Sequence, residues 1–220
     1  CDRRQRQMCI RDRYWLARGF ILLSDIYAAQ GDKFQAREYL ESLKLDVPFR
    51  LVVKSTPSSM HSFYELSRVM KPGRFCLTTV DTIFREDDFR RYIEAMEAAT
   101  DYDGMMAVTS YIDDEKPLYV ETDSDLNITA FRDEAYEGAT YISGGIYALN
   151  EKAVRILEQC MEQGIARMRN FQRALVAGGL KLKAYPLGKI LDVDHAGDIE
   201  KAEALSLIHI SEPTRLRCIS

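Results

Sequence analysis

Nowhere in the 220 residues does an apolar run approach the roughly 18 needed to cross a bilayer as a helix, and no signal peptide is visible. No membrane partner is expected. Cysteine is scarce where it would matter. Three of the five, Cys1, Cys9 and Cys218, stand near the ends. Cys76 and Cys160 lack metal-ligand spacing and sit in apolar stretches, which reads as two buried thiols in a reducing, cytoplasmic compartment. Positive charge is also lacking. The whole chain is −4, and because residues 1–13 and 205–220 are both net basic, residues 14–204 carry −8. An acidic interior argues against a nucleic-acid partner, which needs a positive footprint.

The basic ends have an origin of their own. "MCIRDR" (Met8–Arg13) can be encoded as ATG TGT ATA AGA GAC AG, whose reverse complement reads "LSLIHI", the peptide at Leu205–Ile210. One inverted DNA repeat that encodes both ends is not a folding signal. Residues 1–13 and 205–220 resemble a translated library adapter, the natural alternative being a basic N-terminal arm. Both are set aside as adapter-derived tails of a sequence cut from assembled, metagenomic-type DNA.

Two textures meet near residue 44. Over 14–44, Leu16, Phe20, Leu23, Ile26 and Tyr27 recur at helical spacing, Gly31-Asp32 breaks the run, and Phe34, Ala36, Tyr39, Leu40 and Leu43 restart it. This helical hairpin resembles one tetratricopeptide repeat; an ordinary hairpin fits equally well, since a single repeat cannot bury its own apolar face. Over 45–204 strands alternate with helices. "FRLVVK", "RFCLTTV", "DGMMAVTSY", "LYVETD", "NITAFRD", "TYISGGIYAL" and "KLKAYP" read as strands, the fourth and fifth joined by the turn "SDLN". Helices are expected after Thr56 as cap with Pro57 in the first turn, from Glu86 to about Ala98, over 151–163, over about 167–177, and from "HAGDIEKAE" onward. The fold class is α/β, with a mostly parallel, Rossmann-like sheet and helices on its faces.

Two acidic strings carry the chemistry. In "CLTTVDTIFREDDF" a strand runs into Asp81, at the carboxyl edge where open α/β sheets bind ligands. A carboxylate there suits Mg²⁺, which takes oxygen ligands; the plainer role is a turn cap. In "KILDVDHAGDIEKAE", Asp192 and Asp194 alternate onto one face, an expensive arrangement unless a cation intervenes, whereas Asp198 suits the start of a helix.

"VVKSTPSSMHSF", "CLTTVDTIF", "YISGGIYALN" and "ILDVDHAGDIEKAE", in this order and spacing, resemble the later two-thirds of a bacterial NTP-transferase family nucleotidyltransferase, of GT-A-like type, over about 45–204. The resemblance implies Mg²⁺ as cofactor and an NTP and a phosphorylated small molecule as partners. It implies Asp81 and Asp192 as catalytic metal ligands, with Asp194 competing for the second place. It implies Ser58 and Ser59 at the nucleotide, and Ser143, Gly144 and Gly145 as a loop near the acceptor, glycines allowing close backbone approach. His195 departs from the family's usual Thr and reads as local variation. Lys54 and Arg132 could meet phosphate, but solvated surface charge is the plainer reading. The family's opening G-x-G-x-R string is absent. The chain is therefore expected to be an inactive, N-terminally truncated piece, with 14–44 either foreign sequence joined by chimeric assembly, at a junction between about Gln35 and Val47, or the remnant of an upstream helix. The rival readings are a non-catalytic interaction module and a GT-A-like glycosyltransferase; the latter expects a D-x-D string where Val80-Asp81-Thr82 stands.

Overall fold

Two compact units make up the chain, Cys1–Met70 and Lys71–Ser220. The structure, a computed structural model, describes Val52 and residues 54–79, 82–111 and 116–192. The expected helical hairpin, its junction near residue 44, both tails, most of the "FRLVVK" strand and the helix expected after residue 194 lie outside these residues.

In the first unit the described element is helix α1 (Ser59–Ser67), which buries Met60 and Phe63 three residues apart. Its cap is Ser58, not the expected Thr56. The Thr56 hydroxyl bonds the Ser58 carbonyl at 3.3 Å and the Ser62 hydroxyl at 2.5 Å, so it satisfies no helix N–H, and Pro57 stays outside the helix.

The second unit runs β1 (Phe75–Thr78), β2 (Thr82–Ile83), α2 (Glu86–Ala98), β3 (Gly104–Thr109), β4 (Tyr119–Thr122), β5 (Ile128–Arg132), β6 (Tyr141–Leu149), α3 (Glu151–Glu162), α4 (Met168–Ala177), β7 (Leu182–Pro186) and β8 (Leu191–Asp192). Six strands form one sheet in the order β5-β4-β6-β3-β7, with β1 also on β6; β2 and β8 form a separate two-stranded ladder. Of that small ladder, β2 adds to the expected elements, while β8 ends at Asp192, where the alternation of Asp192 and Asp194 implies a strand end.

The sheet is mixed, not mostly parallel as expected. Strands β1, β3 and β4 each run antiparallel to β6, and β7 runs parallel to β3. Hence β1, β3, β4 and β7 share one direction, as strand–helix alternation requires, while β6 lies among them reversed. Among the described ladders only β3–β7 is parallel. Strands β5 and β6 flank β4 and both run antiparallel to it, β5 ending with Arg132 opposite Tyr119 and β6 starting with Tyr141 opposite Val120.

Helices cover both faces. In α2 the acidic first turn of Glu86, Asp87 and Asp88 suits the helix dipole, and Arg90 pairs with Glu86 at 2.9 Å one turn on. Tyr92 from its apolar side enters a core with Phe84, Met105, Ala107, Ile146, Ala148, Leu187 and Ile190, against which Phe89, Ile93 and Met96 also pack. The opposite face of β6 receives α4, since the Gln172 amide donates to the Tyr147 hydroxyl at 3.3 Å and Tyr147 alternates with Ile146 and Ala148. Asn150 caps α3 by accepting from the Lys152 N–H at 2.9 Å, and Gly164, at φ 68°, ends it in a left-handed turn closed by the Ile165 N–H on the Cys160 carbonyl. No helix among the described residues is long and apolar enough to cross a membrane.

Candidate active site

Strand β6 has two partners along one edge. Residues 146–149 pair with β1 and residues 141–142 pair with β4, so Ser143, Gly144 and Gly145 lie where β1 ends and β4 begins. The pairing is carried across by the Thr79 N–H on the Gly145 carbonyl at 3.2 Å and the Ser143 N–H on the Leu118 carbonyl at 2.9 Å. This is the carboxyl end of β1, from which the chain leads through Val80 and Asp81 to β2. A crevice outside such a strand end is the ordinary ligand position of this class of sheet.

The expected loop of Ser143-Gly144-Gly145 is instead the interior of β6. Its glycines serve the approach of the protein's own chain. A Cβ on Gly144 would stand 2.3 Å from Ile190 Cδ1 and 3.1 Å from the Ala107 carbonyl oxygen. Gly145 adopts φ +71°, and a Cβ there would meet the hydroxyls of Thr82 at 2.5 Å and Thr79 at 3.0 Å. Those two hydroxyls are hydrogen-bonded to each other, and Thr82 is fully buried. The Ser143 hydroxyl donates to Gln172 Oε1 at 3.0 Å, which begins a polar relay from β6 through α4 to Tyr147.

The β2–β8 ladder sets Thr82 opposite Asp192 and Ile83 opposite Leu191. The residue that follows Asp81 in the chain is thus the backbone partner of Asp192, and Thr82 also abuts Gly145. Three stretches far apart in sequence, around 81, 145 and 192, meet here through Thr82. Asp81 and Asp194 lie outside the described residues, and Asp192 is placed by its backbone. The donor set the sequence offers is made of carboxylate oxygens, the ligands a hard divalent cation takes. Among the described residues no group of three or more His, Cys, Asp or Glu could hold a metal ion.

Ser58 and Ser59 stand at the start of α1 in the first unit. The Ser58 hydroxyl bonds His61 Nδ1 at 2.8 Å, while Ser59 is exposed. Lys54 pairs with Glu65 at 2.6 Å; Arg132 pairs with Glu121 and lies 5.6 Å from the Tyr136 ring centroid. Both cations are surface charges with partners of their own. Sequence reading missed Thr79, Thr82 and Gln172. The repeated Thr in "TTVDT" is the one signal that could have pointed to the threonine pair.

No protein-family model matches the sequence, and no curated protein matches it. Solved structures do share its fold. The chain is similar to the inositol-1-phosphate CTP transferase from T. maritima, with a TM-score of 0.63 and 15% identity, covering 87% of this chain and 84% of that one. It is similar to a Bacillus anthracis protein assigned as a glucose-1-phosphate thymidylyltransferase, with a TM-score of 0.62 and 17% identity over 73% of this chain and 65% of that one. The CMP:2-keto-3-deoxy-manno-octonic acid synthetase complexed with CTP gives a TM-score of 0.60 and 15% identity, covering 80% and 78%. The fold is that of these nucleotidyltransferases: α/β, with a sheet flanked by helices.

Proposed function

We propose that this chain is part of a nucleotidyltransferase that moves an NMP group from an NTP to a phosphorylated small molecule of the sugar-1-phosphate kind. The observation that carries the reading is the pairing of Thr82 with Asp192 at the carboxyl edge of a nucleotidyltransferase-like sheet. In this reaction an acceptor phosphate oxygen forms a bond to the α-phosphorus, the bond from that phosphorus to the β-phosphate oxygen breaks, and pyrophosphate leaves. Little covalent chemistry falls to the protein, whose part is positioning and charge neutralisation. Asp81, with Asp192 or Asp194, would hold Mg²⁺, which neutralises charge on the phosphates when bound. Ser58 and Ser59 are assigned to the nucleotide. Ser143, Gly144 and Gly145 are assigned to the acceptor side, a reading supported by the contact of Gly145 with Thr82, the backbone partner of Asp192.

The 220 residues contain no G-x-G-x-R string, so we assign this chain binding without turnover. The test is titration of CTP and dTTP with Mg²⁺ into the chain and into its Asp81→Asn and Asp192→Asn variants, with pyrophosphate release followed in parallel. Mg²⁺-dependent binding that weakens at least about tenfold in both variants is expected, about the effect of losing a charged ligand. Binding indifferent to Mg²⁺ and to both substitutions would reject the assignment; sustained pyrophosphate release by the unmodified chain would reject its inactivity.

A further inference from the structure

Strands β3 and β7 are parallel neighbours, so their carboxyl ends open side by side, Val108 opposite Pro186. From the first end the chain continues through Thr109 to Tyr111; from the second it passes Gly188 and Lys189 on its way to Asp192. One side chain ties the two exits together. Thr109, only 2% exposed, donates its hydroxyl to the Gly188 carbonyl at 2.9 Å and accepts the Tyr111 N–H at 3.1 Å. The Leu187 N–H adds a bond to the Val108 carbonyl at 2.8 Å. Leu187, Ile190 and Leu191 are buried on either side of Lys189, so the backbone that carries this lysine is anchored at both flanks.

The lysine itself is half-buried. Its ammonium lies 4.2 Å from the ring centroid of Tyr111, a residue 37% exposed. Two other lysines of this unit have committed partners: Lys152 pairs with Asp103, and Lys183 bonds the Asp125 carbonyl. Among the described residues no carboxylate pairs with Lys189, and Asp88, which abuts Gly188, is taken by Arg91. A cation set on an aromatic face, without a carboxylate partner among the described residues, at the carboxyl edge where open α/β sheets bind ligands is poised for an anion.

We propose that Lys189 binds the phosphate of the acceptor, a phosphate monoester of a polyhydroxylated small molecule, and that Tyr111 is the positioning residue that holds its ammonium. This deepens the nucleotidyltransferase reading and rests on it for the kind of acceptor. Lysine suits the task as a compact, strongly hydrated point charge on a flexible stem, and the Tyr111 ring restrains that stem.

Calorimetric titration of the 220-residue chain with glucose 1-phosphate and with inositol 1-phosphate tests this, with glucose and inorganic phosphate as comparison arms. At least one ester should bind more tightly than glucose. Lys189→Ala should weaken that binding about tenfold or more, the usual scale for a lost charge-assisted contact. Tyr111→Phe should stay within about threefold, because charge and ring persist, whereas Tyr111→Ala should weaken it measurably. Lys152→Ala, the loss of an already paired lysine, should change nothing. Thermal melts establish that each variant is folded. The inference falls if Lys189→Ala binds the ester as the unmodified chain does, if glucose binds as tightly as its phosphate, or if the unmodified chain takes up neither ester. The separate titration of CTP with Mg²⁺ reads the nucleotide site, so failure of the wider reading would show there.

Discussion

The Oγ1 of Thr82 lies 2.5 Å from the point that a Cβ on Gly145 would occupy. Gly145 also has φ +71°, a conformation that side-chain-bearing residues rarely adopt. Gly145→Ala therefore meets two obstacles, backbone strain and a clash with a buried hydroxyl already hydrogen-bonded to that of Thr79. A loss of about 1–3 kcal/mol is expected in urea denaturation. Adding Thr82→Ala should return part of it by removing the clash and leave the backbone part. Two costs that simply add would show that the side-chain contact is unimportant.

Tyr92 joins the helix layer to the sheet at one pair of strands. Its hydroxyl donates to the Met105 carbonyl at 2.5 Å and accepts the Ala148 N–H at 2.8 Å, and Met105 and Ala148 are paired residues of β3 and β6. Tyr92→Phe preserves the packing of the ring with Phe89 and Tyr185 but leaves a buried N–H and carbonyl short of a partner. A cost of about 1–3 kcal/mol is expected from unsatisfied groups of this kind. Hydrogen exchange at the Ala148 amide should quicken more than at amides of β5; uniform quickening would argue for global destabilisation alone.

The parts of the fold legible in the sequence are those written by local pattern. Glu86 to Ala98 reads as a helix from its acidic start and apolar spacing, and it is one between those bounds. The "SDLN" turn is equally local: Asp123 Oδ1 accepts the N–H groups of Asp125 and Asn127, and the hairpin of β4 and β5 follows. What was not legible depends on distant partners. A two-residue strand such as β2 carries no periodicity of its own and exists because it finds β8 across more than a hundred residues. For the same reason Gly144 and Gly145 read as a loop near a ligand, when the groups they make room for are Ile190, Ala107 and the two threonines. Asp81 and Asp192 are legible as carboxylates suited to a cation, whereas the pairing of Thr82, which follows Asp81 in the chain, with Asp192 is visible only in three dimensions.

Asp103 ties the start of β3 to two other segments. It accepts from Lys152 Nζ at 2.8 Å, Asn150 Nδ2 at 3.1 Å and the Lys181 N–H at 3.0 Å. Desolvation pushes its carboxyl upward, but these donors outweigh it and hold the group below the usual carboxylate range. Because the folded value is lowered, the stabilisation is present above the unfolded pKa, about 3.9, and is lost as pH falls through the folded value. Asp103→Ala should cost about 1–3 kcal/mol at pH 7 through the orphaned donors. Its stability curve should also fall less steeply below pH 4 than that of the unmodified chain. Parallel acid limbs would remove Asp103 from the account.

Cys76 lies on β1, partly buried against the core beside Tyr92, and burial pushes its thiol up to about 12. Burial also raises the Tyr92 hydroxyl well above its ordinary value. A thiol with that pKa holds roughly one part in ten thousand as thiolate at pH 8, and only the thiolate attacks a disulfide reagent. With Cys1, Cys9 and Cys218 replaced by Ser, a disulfide reagent at pH 8 should therefore leave Cys76 unmodified in the folded chain and modify it promptly in denaturant. Cys160, buried at 2% exposure and also raised by burial, should behave alike. The linkage has the opposite sign to that of Asp103. Folded values above the unfolded ones give stability that is whole below about pH 8.5 and declines as pH rises towards the folded values. Cys76→Ala should flatten part of that alkaline decline, and Tyr92→Phe another part. Rapid labelling of Cys76 in the folded chain would mean that β1 opens readily from β6, and with it the strand end that leads to Asp81.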